Sequence, residues 1–299
     1  NYDDLPVGMV LTVNLARYEV LVDGRQITAT LAKELRKQGA VVGDQVYLDG
    51  DLGGAKGSLA RIVQIKPRKP LLRGSAEDDS QAEQPIVANA DQLAVVMSSS
   101  NPEPNIGLLD RYLASAFASG LDVILVLTKT DVSKAKEFLE ILKGLPIKIF
   151  KTRSDDFKLD ELRGQLKGLI TVFVGYSGVG KSTLVNALTG TTLDTGEVNA
   201  VTGKGKHTSS AAKAIPLEDG WLIDTPGIRT FGLGLIEKDD LLGAFPEIAE
   251  ITNDCPRGCA HQAESTGCAL NQENDIPVAR LTSFRRLLKV LEAEQWTKR

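Results

Sequence analysis

The stretch Gly175-Tyr176-Ser177-Gly178-Val179-Gly180-Lys181-Ser182-Thr183 fits the pattern G-x-x-x-x-G-K-[ST] throughout. An apolar run at 170–174 precedes it, and a segment of helical character, 183–188, follows it. In this strand–loop–helix order, the loop N–H groups and the helix N-terminus point toward a phosphate. The pattern assigns Lys181 to the β- and γ-phosphates of a nucleotide and Ser182 to Mg²⁺. We therefore predict a parallel α/β domain that binds a nucleoside triphosphate.

A second phosphate motif, Asp224-Thr225-Pro226-Gly227, follows the apolar run Trp221-Leu222-Ile223. An aspartate at a strand end can hold Mg²⁺ through water, and Gly227 lets the next backbone N–H approach the γ-phosphate. The residue after this motif is Ile228, whose aliphatic side chain cannot orient a water molecule as the glutamine of Ras-like enzymes does. We therefore expect slow intrinsic hydrolysis, with the missing element supplied from elsewhere.

The segment between the two phosphate motifs is rich in Gly and Lys over 203–210, and we predict a switch loop there. Thr208 is the candidate that would complete the Mg²⁺ shell in the triphosphate state. His207 beside it is a candidate catalytic residue or partner contact, and a merely exposed histidine is an equally good interpretation. Lys181 is also a candidate catalytic residue, because its charge would stabilise the transferring phosphoryl group.

The tetrapeptide Thr128-Lys129-Thr130-Asp131 ends the apolar run 123–127 and resembles the guanine-reading N/T-K-x-D motif. A carboxylate at its end accepts hydrogen bonds from guanine N1–H and the 2-amino group, and adenine offers neither donor. Thr128 stands where Asn is commoner, so we expect one base contact to be shortened or lost. The segment 152–154 is a looser candidate for the loop over the base. Because the tetrapeptide precedes the phosphate loop, the sequence predicts a circularly permuted GTPase that uses GTP with Mg²⁺.

The three cysteines of the chain and one of its two histidines cluster within fourteen residues, as Cys255-x3-Cys259-x-His261-x6-Cys268. Three thiolates and one imidazole suit a closed, tetrahedral Zn²⁺ site of the structural kind. Pro256, Gly258 and Gly267 allow the tight turns that such a site needs. An odd, clustered set of cysteines does not suit a secreted disulfide framework, so we expect a reducing compartment.

The composition permits several folded regions, with 299 residues, a formal net charge of −4 and 42% hydrophobic residues. No run approaches the about 20 apolar residues of a membrane span, and residues 1–5 lack the character of a secretory signal. Short alternating strands in the first region indicate a small barrel, OB-like or SH3-like. We predict this β-barrel, a flexible linker, a circularly permuted α/β GTPase domain and a helical zinc-binding module at residues 1–66, 67–84, 85–235 and 236–299.

Together these features resemble the bacterial small-ribosomal-subunit biogenesis GTPases, the RsgA or YjeQ family. The resemblance also includes segments 84–92, 109–113, 206–208 and 267–269. It implies an OB barrel, GTP hydrolysis stimulated by the ribosome and action late in small-subunit maturation. By position, it implies guanine reading by Thr128, Lys129 and Asp131, phosphate binding by residues 175–183, a zinc site at the four Cys/His ligands and a role for His207 in hydrolysis. The chain departs from the family at Thr128 and in its ligand spacing, which is usually C-x4-C-x-H-x5-C.

The partners implied are GTP or GDP and the small ribosomal subunit with its rRNA. Segment 276–299 carries six basic and two acidic residues, so Arg285, Arg286 and Lys289 are candidate contacts to RNA phosphates, with a merely solubilising helix as the plain alternative. We expect a cytoplasmic monomer that does not contact membranes. A GTP-dependent switch that acts on another structured RNA stays open as the alternative function. A non-catalytic scaffold is disfavoured, because Lys181, Ser182 and Asp224 are intact.

Overall fold

The computed structural model describes residues 2, 4–54, 57, 59–75, 84–153, 159–192, 212–226, 230–231, 233 and 236–297. Its strands are β1 (Val7–Asn14), β2 (Arg17–Val22), β3 (Arg25–Leu31), β4 (Gln45–Gly50), β5 (Ala60–Ile65), β6 (Leu71–Ser75), β7 (Gln84–Ala88), β8 (Gln92–Ser98), β9 (Asp122–Thr128), β10 (Ile147–Lys151), β11 (Leu169–Val174), β12 (Lys213–Leu217), β13 (Gly220–Asp224) and β14 (Thr230–Phe231). Its α-helices are α1 (Ile106–Ala118), α2 (Lys136–Ile141), α3 (Asp160–Leu166), α4 (Lys181–Thr189), α5 (Lys238–Leu242), α6 (Pro246–Thr252) and α7 (Val278–Thr297), with 3-10 turns at Lys33–Leu35 and Ala269–Asn271.

The N-terminal region is a closed five-stranded barrel. Its strands pair in the order β1-β2-β3-β5-β4, and β4 pairs back with β1 to close the ring. Alternate residues point inward, so that Val20, Ile27 and Ile62 are buried in one core. This is the strand number and closure of an OB-like barrel, which the sequence predicted.

The central sheet runs in the order β10-β9-β8-β11-β13-β12, and its first five strands are parallel. Successive residues of β8 face opposite sides, since Val95 packs with α1 while Val96 packs with α3 and α4. Both faces are therefore covered by helices, as a parallel sheet requires. The carboxyl ends of β9 and β11 lie at one edge of this sheet, so the motifs that follow them are on the same side although β9 comes first in the chain.

The segment predicted as a linker contains a strand. Residues 71–75 form β6, which pairs antiparallel with β7 and with β14, and Leu72 is 1% exposed. The apolar pair at 71 and 72 is too short to predict a strand, and one of the two partners of β6, the strand β14, is distant in the chain. Residues 76–83 of the predicted linker lie outside the described residues, and the domain boundaries stay predictions.

The C-terminal module packs on the central domain through α7. Phe245 contacts Phe117 of α1 and Phe284 of α7, with ring centroids 6.1 and 5.3 Å apart. Gly144 lies directly against the backbone of α7, where a side chain could not fit without displacing Arg280. Within the described part of the chain, no helix is both long and apolar enough to span a bilayer.

Two arginines of α7 make contacts within the protein, and the predicted RNA contact stays a prediction. The Nε atom of Arg286 donates to both carboxylate oxygens of Asp110, and Arg285 donates to the backbone carbonyl of His261. Lys289 is exposed. The sequence prediction placed all three charges outward because helical periodicity alone cannot show where another helix supplies a buried carboxylate.

Candidate nucleotide site and metal centre

The phosphate loop lies between β11 and α4, at the carboxyl edge of the parallel sheet. Gly178 and Gly180 adopt φ angles of +83° and +89°, a region that side-chain-bearing residues rarely adopt. At Gly175 an added Cβ would lie 2.7 Å from the carbonyl oxygen of Val96 on the neighbouring strand. These glycines are therefore required by the backbone path of the loop, which ends where α4 begins at Lys181.

The two phosphate motifs meet across neighbouring strands. Lys181 donates to the carboxylate of Asp224, at the end of β13, and the two side chains are 11% and 10% exposed. Ser182 is half-buried in the first turn of α4, while Thr183 and Ser177 are exposed. A lysine, a serine hydroxyl and a carboxylate thus lie around the N-terminus of one helix. This donor set fits a phosphate with Mg²⁺, because oxygen ligands suit that ion.

Thr128 contacts the phosphate loop, which the sequence prediction missed. Its side chain is 5% exposed, and its hydroxyl lies 2.6 Å from the Val179 carbonyl and 3.2 Å from the Met97 carbonyl. We expected the change from Asn to Thr to affect a contact to the base. In the structure the hydroxyl of Thr128 joins the end of β9 to the phosphate loop, and the effect on a base contact stays a prediction.

The rest of the tetrapeptide lies beside the same loop. The amine of Lys129 donates to the Gly178 carbonyl at 2.9 Å. Thr130 donates through its backbone N–H and its hydroxyl to the Thr152 carbonyl, at 3.1 and 3.0 Å. Asp131 is exposed at the end of the motif. The structure therefore brings the predicted base-reading and phosphate-binding residues to one edge, although more than forty residues separate them in the chain.

A further group of contacts surrounds both loops and belongs to no recognised motif. Ser99 donates from its hydroxyl to the Lys129 carbonyl at 2.7 Å, and Tyr176 donates to the Glu103 carbonyl at 2.5 Å. Burial, assisted by the Glu103 carboxylate, raises the pKa of Tyr176, so its hydroxyl retains the proton that it donates. In the sequence, the one sign of these contacts is the tyrosine at the second position of the phosphate loop, because its hydroxyl can reach a neighbouring segment.

Several predicted site residues lie outside the residues that the structure describes. They are His207, Thr208, Gly227, Ile228 and Ser154. Their predicted roles in hydrolysis, in Mg²⁺ binding and around the base stay predictions.

The four Cys/His side chains converge on one point. One ligand atom from each of Cys255, Cys259, His261 and Cys268 lies within 4.8 Å of all the others. Nδ1 of His261 is buried and has no hydrogen-bond partner in the described part of the molecule. A buried, unpaired ring nitrogen beside three thiols is what a bound metal would satisfy. The cluster therefore fits a tetrahedral Zn²⁺ ion.

The electrostatics of the cluster agree with a metal. Burial, followed by the charge of Lys238, lowers the pKa of His261, so the imidazole is neutral, which is the form that binds metals. Burial raises the pKa of Cys268 to about 11, and the neighbouring sulfurs of Cys259 and Cys255 add to this effect. A divalent cation would reverse that preference, because a coordinated thiol loses its proton. Backbone N–H groups of His261 and Ala269 already point at sulfur atoms, at 3.4 and 3.3 Å.

Comparison with known proteins identifies relatives along nearly the whole chain. The family model described as RsgA GTPase matches residues 65–234. A protein of Pseudomonas aeruginosa (strain LESB58) named small ribosomal subunit biogenesis GTPase RsgA is 38% identical over 262 residues, which cover 83% of this chain and 75% of that protein. A protein of Bacteroides thetaiotaomicron named small ribosomal subunit biogenesis GTPase RsgA 2 is 34% identical over 302 residues, covering 94% of this chain and 96% of that protein.

Solved structures show the same fold. The crystal structure of YjeQ from Thermotoga maritima matches with a TM-score of 0.68 and 27% identity, over 96% of this chain and 98% of that one. The structure of YloQ, described as a circularly permuted GTPase, matches with a TM-score of 0.68 over 98% of this chain and 97% of that one, and at 23% identity it shows the fold alone. On the evidence of its permuted sheet, its phosphate loop and these relatives, the chain belongs to the RsgA GTPase family and is a GTPase.

Proposed function

We propose that this GTPase acts late in the maturation of the small (30S) ribosomal subunit, in the cytoplasm, and that the subunit stimulates its hydrolysis of GTP. The observation that carries the proposal is the extent of the similarity. The Bacteroides thetaiotaomicron protein is named for small-subunit biogenesis, and it aligns with 94% of this chain, so that the barrel, the GTPase domain and the metal module are all included. A likeness limited to the GTPase domain would support GTP hydrolysis alone.

In this proposal the base is read at the end of β9. Asp131 accepts hydrogen bonds from guanine N1–H and the 2-amino group, and Lys129 lies along the base and ribose. Thr128 and Thr130 hold the loop in place, since both hydroxyls bond to backbone carbonyls of neighbouring loops. A carboxylate built into a rigid loop rejects adenine, because the wrong base leaves it without donors.

The phosphates are bound by the backbone N–H groups of residues 175–183 and by Lys181. Lys181 pairs with Asp224 in the described structure, and on binding of GTP its amine would turn to the β- and γ-phosphates. Ser182 and Thr208 would ligate Mg²⁺, with Asp224 holding it through water and Gly227 approaching the γ-phosphate. The ion supplies charge neutralisation of the phosphate oxygens. His207, next to Thr208, is the candidate that assists the attacking water.

Cys255, Cys259, His261 and Cys268 would hold one structural Zn²⁺ ion. Such an ion stabilises the long connection between α6 and α7, whose only regular structure in the described residues is the 3-10 turn Ala269–Asn271. The module is thereby rigid enough to present a surface to a partner.

The experiment is a measurement of phosphate release from GTP with and without purified small ribosomal subunits. We expect stimulation on the order of 10²-fold or more, because an element supplied in trans can replace the missing water-orienting residue. Large subunits, ATP in place of GTP and the variant Lys181→Ala serve as controls. Equal stimulation by unrelated structured RNA would favour the switch on another RNA, and no stimulation by small subunits would contradict the proposal.

A further inference from the structure

Residues 99–103, which we name the brace segment, contact both nucleotide loops. Ser99 donates to the Lys129 carbonyl, Lys129 donates from its amine to the Asn101 carbonyl, and Tyr176 donates to the Glu103 carbonyl. One of these bonds comes from the phosphate loop and two involve the base-reading loop. A displacement of the brace segment would therefore change the position of one loop relative to the other.

Helix α1 begins shortly after the brace segment, with Pro104 and Asn105 between them. Asn105 caps the helix, since its side-chain oxygen accepts a hydrogen bond from the backbone N–H of Leu108 at 2.9 Å. The helix is fixed in the core by Leu109, Tyr112 and Leu113, each of which is fully buried. Because only Pro104 and the cap residue Asn105 separate this fixed helix from the brace segment, a shift of the helix N-terminus would also shift the brace segment.

The charged contact of α1 reaches the C-terminal module. Asp110, one turn into α1, is 3% exposed, and both of its oxygens accept from Nε of Arg286, at 3.0 and 2.9 Å. Arg286 also donates to the Ile141 carbonyl at the end of α2, at 3.1 Å. A buried carboxylate is stable only with its partner in place, so this contact holds α7 in one position against α1.

The neighbouring arginine of α7 faces the metal centre. Arg285 donates to the carbonyl of the metal-ligand candidate His261 at 3.1 Å and to the side chain of Asn271. Two consecutive residues of α7 therefore contact α1 on one side and the Cys/His loop on the other. Any partner that moves this loop or α7 acts on the Asp110–Arg286 pair.

We propose that Asp110 is a positioning residue for the nucleotide site, which acts through α1 and the brace segment, and that Arg286 couples this site to the metal module. Contact between a partner and the module thus changes nucleotide affinity, and by linkage nucleotide binding changes the affinity of the module for that partner. The pair itself touches neither nucleotide nor metal. The inference goes beyond the proposed function, since the coupling is a property of the full chain without any ribosomal partner.

The test measures the affinity of the full, zinc-loaded chain for fluorescent GDP and for a non-hydrolysable GTP analogue. Asp110→Asn and Arg286→Met should each weaken binding by about five- to tenfold, a range typical of coupling between distant sites. The double variant should bind better than the sum of the two single losses predicts, because it leaves no buried charge unpaired. Tyr176→Phe, which removes one bond to the brace segment, should weaken binding in the same direction and add little to Asp110→Asn.

The matched control is Glu247→Gln, which removes an ion pair between α6 and Arg280 of α7 and leaves α1 untouched. It should leave both affinities unchanged. Hydrogen exchange should show faster opening of residues 99–105 in Asp110→Asn and not in the control. Parent-like nucleotide affinity in a folded, zinc-loaded Asp110→Asn would overturn the proposal. If that variant does not fold, additive losses in Arg286→Met combined with Tyr176→Phe would overturn it.

Discussion

The nucleotide edge and the metal centre are built in opposite ways. The nucleotide edge combines residues 128–131, 175–183 and 224 from three strands, and its geometry depends on the order of the sheet and on side chains that join one loop to another. The metal centre takes all its ligands from residues 255–268. Substitutions at the edge should therefore change binding and rate within an intact fold, whereas loss of a metal ligand should unfold its surroundings.

The largest expected effect is at the metal centre. Cys259→Ala should release about one zinc per chain and destabilise residues 250–275, because a structural zinc site contributes on the order of 10 kcal/mol to the folding of its segment. Zinc analysis and hydrogen exchange of that segment measure both effects. Thr266→Ala, an exposed substitution in the same loop, should change neither. A parent protein that binds no zinc would contradict the assignment.

The next effect is at the phosphate loop. Lys181→Ala should lower the rate of single-turnover GTP hydrolysis by about 10²- to 10³-fold. The variant lacks the positive charge that stabilises the negative charge developing on the phosphate oxygens. Lys167→Ala, which removes an exposed lysine after α3, is the control. Zinc content should stay at the parental level in both. Unchanged turnover in Lys181→Ala would remove this lysine from the catalytic role.

A smaller effect is expected where the two nucleotide loops are joined. Thr128→Val keeps the shape of the side chain and removes the hydroxyl bond to Val179, so nucleotide affinity should fall by about 1 kcal/mol, or about fivefold. Thr252→Val removes a hydroxyl bond of the same kind in α6 and should leave the affinity unchanged. Calorimetric titration with GDP distinguishes the two. Equal affinities in the parent and Thr128→Val would show that this bond does not position the loop.

The smallest effect concerns Glu247 in the C-terminal module. The hydrogen bond from Arg280 holds the pKa of Glu247 below its ordinary value. Because the folded-state pKa is the lower one, the contribution to stability is present above the unfolded-state pKa and is lost as pH falls through the folded-state pKa. Glu247→Gln should therefore cost a few tenths of a kcal/mol at neutral pH, as expected for a partly exposed pair.

The measurement is the free energy of unfolding of parent and variant between pH 7 and about pH 3. The difference in unfolding free energy between parent and variant should become smaller toward acid pH. Protonation of the cysteine thiols affects both proteins equally, so it does not contribute to this difference. A difference that does not depend on pH would show that the ion pair is not its source.

The sequence predicted those features that depend on a few neighbouring residues. The glycine-rich loop before α4 and the run of residues 93–97 within β8 follow from spacing and hydrophobicity over a few residues. The Cys/His cluster is likewise a pattern within one loop. The circular permutation could be predicted because the base-reading motif at 128–131 precedes the phosphate loop at 175–183, whereas most GTPases have the opposite order.

The contacts between these parts could not be predicted, because each depends on residues that are distant in the chain. The sequence around Thr128 does not show that its hydroxyl bonds to the Val179 carbonyl. The sequence around Arg286 does not show that it pairs with Asp110. The strand β6 was missed because its own apolar run is short and one of its partners, β14, is distant in the chain. The contacts that join the nucleotide edge to the rest of the molecule therefore become visible only in the folded structure.

The nucleotide preference of Asp131→Asn tests most directly whether the two loops form one guanine-nucleotide site. If the loop that precedes the phosphate loop reads the base, the parent should bind GDP far more tightly than ADP or xanthosine diphosphate. The variant should lose GDP affinity on the order of 10²-fold and gain affinity for xanthosine diphosphate, because an amide can donate to the xanthine 2-oxo group while its oxygen accepts from N1–H. A variant that keeps the parental preference for GDP, or a parent that binds ADP and GDP equally, would contradict the assembly of one guanine-nucleotide site from these two loops.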